Sequence, residues 1–209
     1  VGIGPSGTSR RDLGELASAR RVNASFPDMG HAAVCDLQAE DATYVPTYQN
    51  DPAVEEYFKH ISEERKRRLG DKARLLGLVG TVFPNMSYLA RQPRSISVWH
   101  PRGPHTTEAW RWFLVDRDVP EEVKDMLRHY FIRYSGPAGM TEQDDMENWN
   151  YAHSASRGPI ARRHPYNYEL GIGASSPDVP LPGMLTERIN EENARGFYSG
   201  WSRAMEAKN

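Results

Sequence analysis

The sequence predicts an α+β domain, and three features of its patterning carry that assignment. Stretches with helical spacing flank a block of strand-like segments rather than alternating with them. The strand block is broken by turn-rich joints that suit antiparallel pairing. A last amphipathic stretch follows a long Pro/Gly/Ser-rich loop. With 209 residues the chain can bury one good-sized core, so a single domain is expected.

Along the chain, residues 1–30 read as irregular, with one short helix near "RDLGELASARR". "HAAVCDLQ" suits a short strand. "DPAVEEYFKHISEERKRRLG" is the clearest helix: Asp51 is placed to cap it, Pro52 fits its first position and Gly70 ends it. Its apolar residues Val54, Tyr57, Phe58 and Ile61 recur every three or four positions, so one stripe should face a core. "LLGLVGTVFPNMSYLA" reads as strands broken at Pro84-Asn85. "SISVWHPRG" and "TTEAWRWFLVD" read as an antiparallel pair, with Ile96, Val98, Ala109, Trp110, Phe113 and Val115 expected to be buried. "VPEEVKDMLRHYFIRYSG" returns to helix between Pro120 and Gly136. After a loop, "NEENARGFYSGWSRAMEAKN" gives a terminal helix with Phe197, Trp201 and Ala204 along one face.

Composition narrows the function. A net charge of −2 provides no field for nucleic acid or an anionic membrane. No apolar run approaches the roughly 18–20 residues of a membrane span, and no signal peptide is visible. Cys35 is the only cysteine, so this chain has no disulfide framework and no iron–sulfur ligand set of its own. Cys35 itself reads as an inert buried thiol, and a cytoplasmic location is expected.

"GPAGMTEQDDMENWN", residues 136–150, is where chemistry could reside. Its acids have a structural reading: Thr141 as N-cap, Asp144 as its capping-box partner, and Glu142, Asp144 and Asp145 complementing the helix dipole. They also have a functional one. On a helical wheel Asp145 shares a stripe with Trp149 and Ala152, whereas Asp144 lies about 100° away beside Asn148 and Tyr151. A carboxylate on the Trp149 stripe should point inward, where it needs a cation, hydrogen-bond donors or a metal. Arg133 is the plain structural partner.

The ordered segments "TVFPNMSYL", "SVWHPRGPHTTEAWRWFLVD", "VPEEVK", "GPAGMTEQDDMENW" and "ARGFYSGWSR" resemble the catalytic domain of the α-subunit of Rieske non-heme iron aromatic-ring-hydroxylating dioxygenases. The similarity runs from about His31 to Arg203. It implies a START-like helix-grip fold, an antiparallel sheet around a long helix over an apolar pocket. It also implies cis-dihydroxylation of an aromatic ring with O₂ at a mononuclear Fe(II) held by two histidines and an aspartate. The second aspartate of the family's E-x-D-D segment falls on Asp145. The strand before "FPN" and the loop before "DD" imply substrate contacts at Leu78, Gly80, Ala90, Ser135 and Thr141. Implied partners are a ferredoxin and a reductase, and other α-subunits with or without a β-subunit.

The departures are equally specific. The family's two histidine ligands come from an H-x4-H segment upstream of the matched part. Of the seven histidines here, only His100 and His105 are close in sequence, and they read as a turn. His31 matches a non-ligand position. The Rieske domain, with its [2Fe–2S] cluster, is absent from the chain, which also opens without methionine. Residues 31–209 therefore read as the C-terminal part of the catalytic domain, incomplete at its N-terminus, with the two histidines and the cluster expected upstream. A rival reading is a non-catalytic helix-grip module that holds an apolar small molecule.

Overall fold

The computed structural model describes residues 20–38, 51–174, 176–187 and 190–207. Among these residues seven strands form one antiparallel sheet: β1 Arg20–Phe26, β2 His31–Leu37, β3 Leu75–Val82, β4 Met86–Leu89, β5 Ser95–Pro101, β6 Thr107–Phe113 and β7 Met184–Glu187. Their order across the sheet is β6-β5-β4-β3-β2-β1-β7. The helices are α1 Pro52–Leu69, α2 Glu121–Ser135, α3 Glu142–Ser156 and α4 Glu192–Glu206. The α+β class stands.

Helix α1 forms as its sequence dictates. The Asp51 carboxylate accepts from the amides of Ala53 (2.9 Å) and Val54 (3.3 Å), two donors that have no partner inside the helix. Gly70 ends it in the left-handed region, with φ at 53°. Val54 and Phe58 bury their side chains against Val119, Val123 and Leu127, while Tyr57 is packed beside them and Ile61 is half-buried. This cluster joins α1 to α2. Phe131 of α2 stacks on Phe113 of β6 at 4.9 Å and ties the cluster to the sheet.

The sheet contains two strands that the sequence pattern does not announce. β1 lies inside the stretch read as irregular, and β7 lies inside the Pro/Gly-rich loop. Along β1, Val22, Asn23, Ala24 and Ser25 are all buried, so polarity does not alternate and the period of two is invisible. β7 has only four residues. The short helix expected near the N-terminus falls on residues outside those described, apart from Arg20 and Arg21, which belong to β1.

Burial differs from expectation on β5 and β6. Ser95 and Ser97 are buried, whereas Ile96 and Val98 on the opposite face are only half-buried. Trp110 is 51% exposed, because its face of the edge strand has no layer over it among the described residues, and Ala109 is exposed near the hairpin end.

Helix α4 also turns a different face inward. Its buried residues are Gly196 and Gly200, and Trp201 and Ala204 are exposed. A Cβ at Gly196 would come 2.1 Å from Ser25 Oγ, and one at Gly200 would come 2.5 Å from Gly30 Cα. The helix therefore sits closer to β1 and the β1–β2 turn than any side chain would allow.

Candidate active-site cleft

Cross-strand register builds the floor of a cleft. One row runs Ala32, Thr81, Ser87, Ser97, Arg111 from β2 to β6, and the next runs Val34, Val79, Leu89, Ser95. All nine residues line a cavity of about 640 Å³. From β2 to β6 is four strand spacings, roughly 19 Å, so the floor is elongated. Its volume lies in the usual range of small-molecule sites, about 300–1,000 Å³. Glu142, Asp145 and Trp149 of α3 wall one end, with Tyr134 of α2 beside them. Asn193, Ala194, Phe197 and Tyr198 of α4, with Tyr168, wall the other.

The α3 end is tied down by polar contacts at the first helical turn. Arg111 forms an ion pair with Glu142, and both side chains are mostly buried. Ser135 Oγ donates to Glu142 Oε2 at 2.7 Å, Arg111 Nε donates to Ser97 Oγ at 2.8 Å, and Gln143 Nε2 donates to the Gly136 carbonyl at 2.6 Å. Trp149 meets Trp99 edge to face with ring centroids 5.5 Å apart, and Trp99 Nε1 donates to Ser87 Oγ at 2.9 Å. Burial, then the carboxylates of Glu142 and Asp145, push the Tyr134 phenol above its ordinary pKa, so it stays neutral and able to donate.

Asp145 lines the cleft and Asp144 does not. Among the described residues no hydrogen bond or ion pair engages the Asp145 carboxylate, Arg133 included. The residue is exposed rather than inward-buried: α3 has no fully buried residue, and Glu142, Asp145 and Trp149 are the ones it turns to the cleft. The expected capping box is absent too: Thr141 is in the helical region and its side chain makes no capping bond. Glu142 and Gln143 secure this turn instead.

Of the five positions expected to touch substrate, Gly80 borders the cleft, while Leu78, Ala90, Ser135 and Thr141 lie outside its lining. Gly80 is small for a local reason. A Cβ there would fall 2.3 Å from the ring of Tyr88, its cross-strand partner. Ser135 stands one contact behind the lining, through Glu142. Sequence reasoning missed Arg111, Glu142 and the serine row. The available signal was the alternation in "SISVW", which sets Ser95, Ser97 and Trp99 on one face.

His100 and His105 do not form a pair. His100 packs its ring against Trp110, and His105 Nδ1 lies 3.3 Å from His153 Nε2 of α3. Among the described residues, no three His, Cys, Asp or Glu side chains cluster closely enough to hold a metal ion.

The family described as "Ring hydroxylating alpha subunit (catalytic domain)" matches residues 15–207. The chain belongs to this family of ring-hydroxylating α-subunits. Among curated members, it is 39% identical over 160 residues to the α-subunit of biphenyl 2,3-dioxygenase from Rhodococcus jostii, covering 74% of this chain and 35% of that one. It is 35% identical over 161 residues to the α-subunit of benzene 1,2-dioxygenase from Pseudomonas putida, covering 74% and 36%. The crystal structure of naphthalene 1,2-dioxygenase from Rhodococcus sp. bound to indole superposes with a TM-score of 0.71 at 26% identity, covering 99% of this chain and 51% of that one. This family member thus spans about a third of the length of the curated relatives it matches. The family is one of oxidoreductases. No helix among the described residues is long and apolar enough to cross a membrane.

Proposed function

We propose that this chain is the iron-binding part of an α-subunit that adds both atoms of O₂ to an aromatic ring, giving a cis-dihydrodiol. One observation carries the reading. Of the two adjacent aspartates, Asp145 alone lines a cleft walled by Trp99, Trp149 and Phe197, and its carboxylate has no partner among the described residues. A hard oxygen ligand left free beside an aromatic pocket fits the carboxylate arm of a two-histidine, one-carboxylate iron site. The two histidines would come from outside this chain. Fe(II) held there would supply O₂ activation.

The chain's own residues perform the remaining work. The Arg111–Glu142–Ser135 contacts fix the first turn of α3 and so hold Asp145 at the cleft wall. Trp99 and Trp149 offer faces against which an aromatic ring can stack. Electrons would arrive from NAD(P)H through a reductase, a ferredoxin and a Rieske [2Fe–2S] centre carried upstream. Like α-subunits, with or without a β-subunit, would complete a cytoplasmic assembly.

Oxygen-isotope labelling tests this. The complete α-subunit, supplied with its electron-transfer partners, an aromatic substrate and ¹⁸O₂, should yield a diol with both oxygens labelled. A product with one labelled oxygen would contradict cis-dihydroxylation. Ligand binding without oxygen uptake would favour the helix-grip carrier.

A further inference from the structure

We infer that the cleft selects aromatic rings bearing a neutral hydrogen-bond acceptor, such as a ketone or ether oxygen, over bare hydrocarbons and over carboxylated rings. This deepens the ring-hydroxylating reading above and rests on it. Two of the relatives matched here are named for hydrocarbons, biphenyl and benzene. The floor of this cleft is not that of a plain hydrocarbon site.

Thr81, Ser87, Ser95 and Ser97 place four hydroxyls on one face of three adjacent strands, and all four line the cavity. Ser87 Oγ accepts from the Trp99 indole and Ser97 Oγ accepts from the Arg111 guanidinium. Neither indole nor guanidinium N–H can accept in return, so each serine keeps an O–H proton to donate. The Ser95 hydroxyl has no hydrogen-bond partner among the described residues, although only 5% of the residue's surface is exposed, as for Ser97. An unpaired hydroxyl that faces the cavity is free to donate, so a ligand acceptor resting on this strip gains a hydrogen bond without taking one from the protein. Trp99, Trp149, Leu89 and Phe197 meanwhile offer the apolar walls that a ring needs. The ring is held by the walls and its substituent by the floor.

Charge decides against an anionic substituent. Among the described residues Arg111 is the only cationic side chain in the lining, and Glu142 already pairs with it. A carboxylate resting on this floor therefore gives up its hydration and finds no uncommitted cationic side chain among the described lining residues.

Calorimetric titration of the complete, iron-loaded α-subunit with ethylbenzene, acetophenone and benzoate reads the order directly. Acetophenone should bind about tenfold more tightly than ethylbenzene, the gain of one or two net hydrogen bonds. Benzoate should bind at least tenfold more weakly than acetophenone. Ser95→Ala is the clean variant because it strips no protein donor of its acceptor. It should weaken acetophenone about three- to tenfold and leave ethylbenzene within twofold. Ser97→Ala should act alike, and Ser97→Thr should restore the parent value. Equal affinities for acetophenone and ethylbenzene, or a Ser95→Ala loss shared by both, would overturn the inference. A preserved binding order with no hydroxylated product from any probe would support it while counting against the ring-hydroxylating reading.

Discussion

The packed joint between α1 and α2 and the cleft between α3 and α4 are built on opposite principles. At the joint, Val54, Phe58, Val123 and Leu127 are almost wholly buried, apolar and interlocked. At the cleft, α3 buries no residue and α4 approaches the sheet through glycines. Its fixed points are an ion pair, a few hydroxyls and one pair of indoles. The joint supplies stability that the cleft does not have to supply. Freed from that duty, the cleft can expose a carboxylate and keep hydroxyls unpaired, features that would weaken a core but serve a ligand.

Truncating the joint should have the largest effect. Phe58→Ala removes a fully buried ring, a change worth about 3–5 kcal/mol. In the complete α-subunit it should lower the midpoint of this domain's unfolding by roughly 6–20 °C. Ligand affinity measured well below that midpoint should stay within a factor of two or so of the parent, a ratio small beside the tenfold of 1.4 kcal/mol. A loss of affinity equal to the loss of stability would show that the two regions are not separate.

Filling the α4 contact should hurt both properties at once. Gly200→Ala places a Cβ against the Gly30 backbone, and overpacking of this kind costs about 1–3 kcal/mol. Because α4 carries Phe197 and Tyr198 into the lining, its displacement should also weaken aromatic ligands. Thermal unfolding and calorimetry on the same variant would check this. An unchanged midpoint would mean that the close approach of helix and turn is not needed.

Thr141→Ala should do least. Its hydroxyl makes no capping bond, so stability should change by no more than about 0.5 kcal/mol. A loss of about 1 kcal/mol or more in chemical denaturation would restore the capping box that the sequence suggested.

What could be read in the sequence follows from where a residue's neighbours lie. Helix α1 was legible from end to end because Asp51, Pro52, Gly70 and the Val54–Phe58 spacing are all local signals. The β5–β6 pair was legible from its turn. β1 was not, since Asn23 and Ser25 are buried as deeply as Val22 and Ala24, and strands on either side decide their burial. The inward face of α4 was hidden for the same reason, because Gly196 and Gly200 matter only beside Ser25 and Gly30. The helical wheel set Asp145 and Asp144 on different faces, and of the two Asp145 borders the cleft. It overstated depth, because a wheel gives the angle of a side chain and not how much lies over it.

The difference between those two aspartates is the most direct test of the account. Mononuclear iron should be quantified in the complete α-subunit carrying either Asp145→Ala or Asp144→Ala, with the visible spectrum of the Rieske centre as the control for folding. Asp145→Ala should lose its mononuclear iron and its dihydroxylation while the cluster spectrum persists. Asp144→Ala, whose side chain is exposed and outside the cleft, should keep both. If Asp145→Ala retains iron and activity while Asp144→Ala loses them, the assignment of the cleft carboxylate is wrong.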